Sequence, residues 1–442
     1  MQNEAANSAQ PHTHVSGVGG VGMNAIAQLL NARGHRVTGS DRFWDQGVHL
    51  PVFDALQSLG IELTPQDGRM LTSETRALVI STAVEADNPE RVRARELGIP
   101  ERHRAEALAQ CVGNGRVAAI AGTSGKTTCT GWLGRTLEVC GFDPGVVNGG
   151  GVLNWKHPNN PGNVRLGRDP TGWWVVEVDE SDRSLLRFHP EIALITGMAP
   201  DHHDAEDTLD LFRAFARQVT RAIVCGPDVR ALLQGTPGLK ARLVDAGPPL
   251  SSHLPPHLPG AHNALNAAAV VKMAELCGAS ADQAKTALAD FRGVERRLER
   301  CTPSGEGPGV YDDYAHNPEK IAAAIRAVRP ENGRLIALWR PHGFAPLRQN
   351  FEALADAFAR NLRPGDEAWI LPVFYAGGTA PKGIEGEDLA RYIREKGARA
   401  HAPDDYPENV PLDSADVLLV MGARDPELPR FARRIAEKTL EL

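Results

Sequence analysis

Residues Val117 to Thr128 read VAAIAGTSGKTT, an apolar run that stops at a glycine-rich turn and passes directly into a helix start. The backbone N–H groups of such a turn, together with the helix N-terminus, form a cradle for phosphate oxygens. Gly122, Thr123, Ser124, Gly125, Lys126, Thr127 and Thr128 make up the turn. In that reading Lys126 neutralises β/γ-phosphate charge and Thr127 offers a hydroxyl to Mg²⁺. The longer phosphate-loop pattern has glycine where this chain has Ile120, leaving the shorter Gly-Thr-x-Gly-Lys-Thr-Thr form. The turn predicts an ATP site on a parallel-sheet scaffold.

At 442 residues the chain exceeds a single hydrophobic core, so two or three domains are expected. A formal net charge of −7 argues against a nucleic-acid protein, which would carry a basic stripe. The 6 cysteines fall at 111, 129, 140, 225, 277 and 301 with no C-x-x-C pair, which suits reduced thiols and a cytoplasmic setting. The opening residues MQNEAANSAQPHTH lack a basic and an apolar segment, so no signal peptide is predicted. No apolar run is long enough to span a membrane.

Three blocks follow one another. From His14 to about Arg104, HVSGVGG, a helix near Met23 to Asn31, HRVTGSD, ALVISTA and the NPERVRARELG helix alternate with the βαβ rhythm of a parallel sheet. The second block begins at Arg116. It continues through strands Trp173 to Asp179 and Ile192 to Met198, a helix Leu209 to Val219 and a helix His262 to about Leu276. The third follows Arg297, with strand GVYDDYA, helix Pro318 to Ala327, strand RLIALW, helix Leu347 to Asn361, and strands AWILPV and VLLVMG. Gly247 to Gly260 and Pro303 to Pro308 read as loops.

Gly17, Gly19 and Gly22 form G-x-G-x-x-G between the first strand and first helix, and Asp41 ends the next strand. The pattern predicts a diphosphate at a helix N-terminus without choosing among NAD, FAD and a sugar nucleotide. Two phosphate sites in one chain favour phosphoryl chemistry on a nucleotide-linked substrate over hydride transfer. In the second block Glu177, Asp179, Glu180 and Asp182 close a strand beside the lysine turn, where carboxylates can hold Mg²⁺. The next strand ends in Asp201, His202, His203 and Asp204. Imidazole is an unusual Mg²⁺ ligand, and these residues alone leave a zinc site open.

Ten segments, in order, resemble the Mur ligases, the ATP-dependent amide-forming enzymes of peptidoglycan precursor synthesis. They are GVGGVGMNAIA, GSD, STAVEADNPE, AIAGTSGKTT, VNGGG, EVDESD, the DHHD turn, PGAHNALNAAA, GVERRLE and VYDDYAHNPEK, from about His14 to Ala423. The resemblance implies an α/β fold in three domains. These are a Rossmann-like UDP-sugar domain over 1–110, a central P-loop ATPase-type parallel-sheet domain over 111–298 and a Rossmann-like C-terminal domain over 299–442.

It also implies roles. Lys126 and the loop from Gly122 to Thr128 hold ATP; Thr127, Glu177 and His202 hold Mg²⁺. His262 and Asn266 lie at the adenine, Arg297 reaches the phosphates, and Asp313 binds the ribose. Gly17, Gly19, Gly20, Gly22 and Asp41 take the UDP moiety, while His316 and His342 face the reacting carboxyl and the amino acid. The implied reaction adds an amino acid, L-alanine foremost, to the lactyl carboxylate of UDP-N-acetylmuramate through an acyl phosphate, in a cytoplasmic monomer or homodimer.

The chain departs from the family pattern in places. RPHGFAPLR keeps Pro341 and His342, but Gly343 and Pro346 stand where arginines are expected, with Arg340 and Arg348 nearby. Gly197 replaces an asparagine, and VMGARDP replaces a Gly-Ala-Gly-Asn type of turn. No lysine lies between Glu191 and Leu239, so the carbamylated lysine of some Mur ligases is not expected. Other readings are a related ligase with another amine donor such as a murein peptide, an NAD-dependent oxidoreductase resting on the first glycine turn, and a non-catalytic nucleotide-sugar sensor.

Overall fold

The computed structural model describes residues 11–113, 115–169, 171–198, 205–303, 307–375 and 383–440. The chain forms two compact units: residues up to Leu254 with Ala264–Val294, and Pro255–Asn263 with Glu295 onward. Unit one carries two sheets. The first runs in the order β3-β2-β1-β4-β5, from β1 (His12–Ser16), β2 (Arg36–Ser40), β3 (Glu62–Thr64), β4 (Thr75–Ile80) and β5 (Glu101–His103), all parallel. Helix α1 (Val21–Ala32) follows β1, α2 (Pro89–Leu97) follows β4, and α3 (Arg104–Val112) follows β5. β1 is buried along its whole length, as strands covered by helices on both faces require.

The second sheet has the order β12-β11-β10-β6-β9-β7-β8. Its strands are β6 (Arg116–Ala121), β7 (Gly145–Val147), β8 (Val164–Arg165), β9 (Trp173–Glu177), β10 (Ile192–Ile195), β11 (Ala222–Cys225) and β12 (Arg242–Asp245). Only the β7–β8 pair is antiparallel. α4 (Lys126–Val139) leaves β6 through the glycine turn, and α5 (Ala205–Gln218) precedes β11. α4 buries Trp132, stacked on Phe291 at 5.3 Å with its indole N–H on the Leu288 carbonyl, and Cys129 is fully buried on the same helix. α6 (Ala261–Cys277) is the long Ala-rich helix read from HNALNAAA. A buried side-chain network ties α1 to the second sheet. Asn163 donates to Asn24 at 2.7 Å and to the Val21 carbonyl at 3.0 Å, and Gln28 donates to Asn163 at 3.1 Å.

Unit two holds the sheet β13-β14-β18-β15-β16-β17: β13 (Glu299–Arg300), β14 (Gly309–Asp313), β15 (Leu335–Arg340), β16 (Glu367–Ile370), β17 (Arg399–His401) and β18 (Val417–Gly422). β13 alone is antiparallel. Alternate residues face opposite cores, as the two-residue period of a strand dictates. Ala337, Leu419 and Met421 pack on α7 (Pro318–Val328), α9 (Phe351–Asn361) and α10 (Gly386–Glu395). Ile336, Leu338 and Leu418 pack on α11 (Glu427–Leu440). The helix expected over Leu347 to Asn361 is two helices, α8 (Phe344–Gln349) and α9, joined at Asn350, whose φ of −111° breaks the helical path. Among the described residues, no helix is long and apolar enough to cross a membrane, and the six cysteines are free thiols.

Candidate active site

The lysine turn is built by steric necessity. Gly122 has φ +123°, and a β-carbon there would meet the Thr196 hydroxyl and lie 2.8 Å from the Thr196 nitrogen. Gly125, at φ +81°, is the N-cap of α4, and no side chain caps that helix. The first helical bond is donated by Cys129 to Gly125 at 2.9 Å, which leaves the N–H groups of Lys126, Thr127 and Thr128 ahead of it. β10 supports the turn from below: Thr123 donates to the Gly197 carbonyl at 3.2 Å, and the Thr196 hydroxyl donates to the Ser124 carbonyl. Asn266 of α6 lies beside the turn, its Oδ1 being 3.1 Å from where a Gly125 β-carbon would stand.

Lys126 Nζ donates to the Gly122 carbonyl and to Glu180 Oε2, both at 2.7 Å. Burial opposes its charge, but Glu180, Asp179 and Glu177 outweigh that and hold the ammonium above its ordinary value. The Thr127 hydroxyl donates to Glu177 Oε1 at 3.0 Å, and Gly149 N–H donates to Glu177 Oε2 at 2.7 Å. A β-carbon at 149 would come within 2.5 Å of that carboxylate, which accounts for the first glycine of VNGGG. Three of the four acids of EVDESD therefore divide their work: Glu177 faces Thr127, Glu180 pairs with Lys126, and Asp182 pairs with Arg104 at 2.6 Å. Burial would raise the Asp182 carboxyl, but Ser184 and Arg104 outweigh it and lower it.

Arg104 was not singled out by sequence reasoning. It opens α3, reaches Asp182 and, at 3.6 Å, Asp179, and lies against Gly22, where a β-carbon would be 3.2 Å from its Nη1. Only the HRAE helix start hinted at it; its partner lies 78 residues away. The first glycine turn has Gly17 at φ +74° and Gly20 as the N-cap of α1, again with no side-chain cap. Gly19 packs directly on Asp41, whose Oδ2 accepts the Gly19 N–H at 2.9 Å while its Oδ1 accepts the Phe43 N–H at 2.9 Å. Asp41 thus holds the turn in shape, and burial raises its carboxyl.

In unit two, Asp313 Oδ2 accepts the Leu298 N–H and Oδ1 the Ala315 N–H, both at 2.7 Å. Arg297 lies over the Tyr314 ring at 5.3 Å. His316 Nδ1 contacts the Tyr314 carbonyl at 3.0 Å, and its ring meets His342 edge to face at 5.3 Å. Burial and the charge of Arg424 bring His342 down to about 4. His262 is exposed in the first turn of α6. His202, with Asp201, His203 and Asp204, lies outside the described residues. Among those described, no group of three metal-ligating side chains is assembled.

An uncapped helix start behind a buried lysine and a hydroxyl–carboxylate pair, on a parallel sheet, defines a nucleoside-triphosphate enzyme of the phosphate-loop kind. Two family models match: the Mur ligase family catalytic domain over residues 12–116, and the Mur ligase glutamate ligase domain over 296–424. A UDP-N-acetylmuramate–L-alanine ligase of Saccharopolyspora erythraea is 33% identical, covering 93% of this chain and 90% of that protein. One of Clavibacter michiganensis is 35% identical over 88% and 85%. A crystal structure of UDP-N-acetylmuramate–alanine ligase from Thermotoga maritima shares the fold at a TM-score of 0.78, with 24% identity over 97% of this chain and 99% of that one. The chain belongs to the Mur ligase family, as an ATP-dependent acid–amino-acid ligase.

Proposed function

We propose that this chain joins L-alanine to the lactyl carboxylate of UDP-N-acetylmuramate in the cytoplasm, driven by ATP. The observation that carries the reading is 33% identity, across 93% of the chain, to a relative bearing that name. The lysine turn gives the reading its chemistry. A carboxylate is a poor electrophile, so phosphoryl transfer from ATP first converts it to an acyl phosphate, and the amine then displaces phosphate. The protein's task is positioning and charge stabilisation. Lys126 and the Gly122–Thr128 backbone hold the phosphates, and Arg297 adds charge. Asn266 and His262 take the adenine, and Asp313 takes the ribose. Gly17, Gly19, Gly20 and Gly22 hold the UDP diphosphate, with Asp41 fixing their turn.

Thr127 Oγ1 and the Glu177 carboxylate are hard oxygen donors 3.0 Å apart, and they fit Mg²⁺. With His202 they would hold it, and the ion would neutralise charge on the transferring phosphate. His316 accepts a proton from the incoming ammonium, or passes it to water. The proposed domains are 1–110 for the UDP-sugar, 111–298 for ATP and 299–442 for the amino acid. A murein-peptide donor is the reading that Gly343 and Pro346 suggest, but the relatives at 33–35% identity carry the alanine name. Mass spectrometry of products from UDP-N-acetylmuramate, ATP, Mg²⁺ and mixed amino acids tests the choice. An adduct carrying one alanine is expected; turnover only with a preformed peptide overturns it.

A further inference from the structure

Three strand ends come together at the carboxyl edge of the sheet in unit two. β18 lies between β14 and β15, with Asp313 level with Met421 and Arg340 level with Gly422. Just beyond these ends stand Tyr314 and His316 from β14, His342 from β15 and Arg424 from β18. Tyr314 and His316 meet edge to face at 5.6 Å, and His316 meets His342 at 5.3 Å. The carboxyl edge of a parallel sheet is where such folds bind their ligands.

Arg424 is unlike the other arginines there. Arg296 pairs with Asp312 at 3.2 Å and donates to the Gly422 carbonyl at 2.6 Å. Arg340 pairs at 2.7 Å with Asp425, which also accepts the Tyr406 hydroxyl at 2.7 Å. Among the described residues Arg424 has no carboxylate partner. It is exposed and sits at φ +67°, a left-handed conformation that glycine adopts without cost and arginine does not. Strain of this kind, at the mouth of a sheet, points to a ligand. Its charge bears on His342, whose ring stays neutral beside it.

We propose that Arg424 binds the α-carboxylate of the incoming amino acid and sets the enzyme's preference for an amine donor that carries one. This rests on the ligase reading above. The segment RPHGFAPLR has glycine at 343 and proline at 346, so neither position can supply a guanidinium. An α-carboxylate is held best by a fixed cation, and the arginine fork suits it. The His342 ring, its pKa lowered by burial and by Arg424, adds no second positive charge to repel the amino group that must attack.

Arg424→Gly removes the guanidinium and relieves the backbone, so the fold is expected to stand with Tm no lower than that of the parent. The KM for L-alanine should rise about 10- to 100-fold, with the KM for ATP and for UDP-N-acetylmuramate within twofold. Arg424→Lys should recover part of the loss. The parent enzyme's preference for L-alanine over L-alaninamide should collapse in Arg424→Gly, because the amide never engaged the guanidinium. An unchanged alanine KM, an unchanged preference over the amide, or a shift confined to ATP would each overturn the assignment. If the parent enzyme itself makes no adduct with any amino acid, the ligase reading fails and takes this inference with it.

Discussion

Lys126 and Glu180 form an ion pair whose side chains are 14% and 5% exposed, so neither partner can be removed alone without leaving a buried charge. Lys126→Ala should lower kcat about 10²- to 10³-fold, the range seen when a charge-stabilising donor is lost. It should also destabilise the fold by about 2–3 kcal/mol. Adding Glu180→Gln should restore stability in thermal melts but not turnover in a phosphate-release assay. Restored turnover would remove Lys126 from the chemistry. His342 makes a pH prediction. Its ordinary value of 6.5 falls to about 4 in the fold, so the unfolded chain takes up a proton between those values while the native ring does not. Its stability contribution is complete above pH 6.5 and is lost as pH falls toward 4. For a partly buried ring the loss, discounted for solvent screening, is about 1–2 kcal/mol. The difference between parent and His342→Asn melting curves should grow along that slope; parallel curves would contradict it.

Elements were legible where local chemistry decides them. The start of α4 at Lys126 follows from a glycine turn behind an apolar strand. β9 ends at Glu177, short of the Asp179 expected, because the acids after it leave the sheet to pair with Lys126 and Arg104. What the sequence withheld was pairing across distance. Nothing in ESD says that Glu180 meets Lys126 while Asp182 turns to Arg104, because the choice is made by how β9 lies beside β6. The break at Asn350 was hidden because the apolar spacing continues through it. The link between α1 and the second sheet was equally invisible, since Asn163 sits in a loop strand 139 residues from Asn24. Asn163→Ala should leave the Asn24 and Gln28 amides and the Val21 carbonyl short of a partner. Such a loss costs about 1–3 kcal/mol, readable as a lower urea midpoint with an unchanged slope. An unmoved midpoint would show the network to be dispensable.

At the scale of the whole molecule, the three-domain α/β architecture was readable from the alternation of strands and helices, and the structure and its neighbours bear it out. Unit two has its own six-stranded sheet with a core on each face. A fragment from Glu295 to Leu440 should therefore unfold cooperatively on its own, seen as a sigmoidal loss of circular dichroism; a gradual, featureless loss would contradict that.

The buried cysteine at position 129 carries a last implication. Its sulfur is sealed into the helix that begins at the lysine turn, and burial raises its thiol far from ionisation. Thiolate is the form that oxidants and alkylating agents attack. The helix behind the lysine turn is accordingly shielded from peroxide and electrophile damage for as long as the native packing lasts, and its sulfur becomes vulnerable only when that packing gives way.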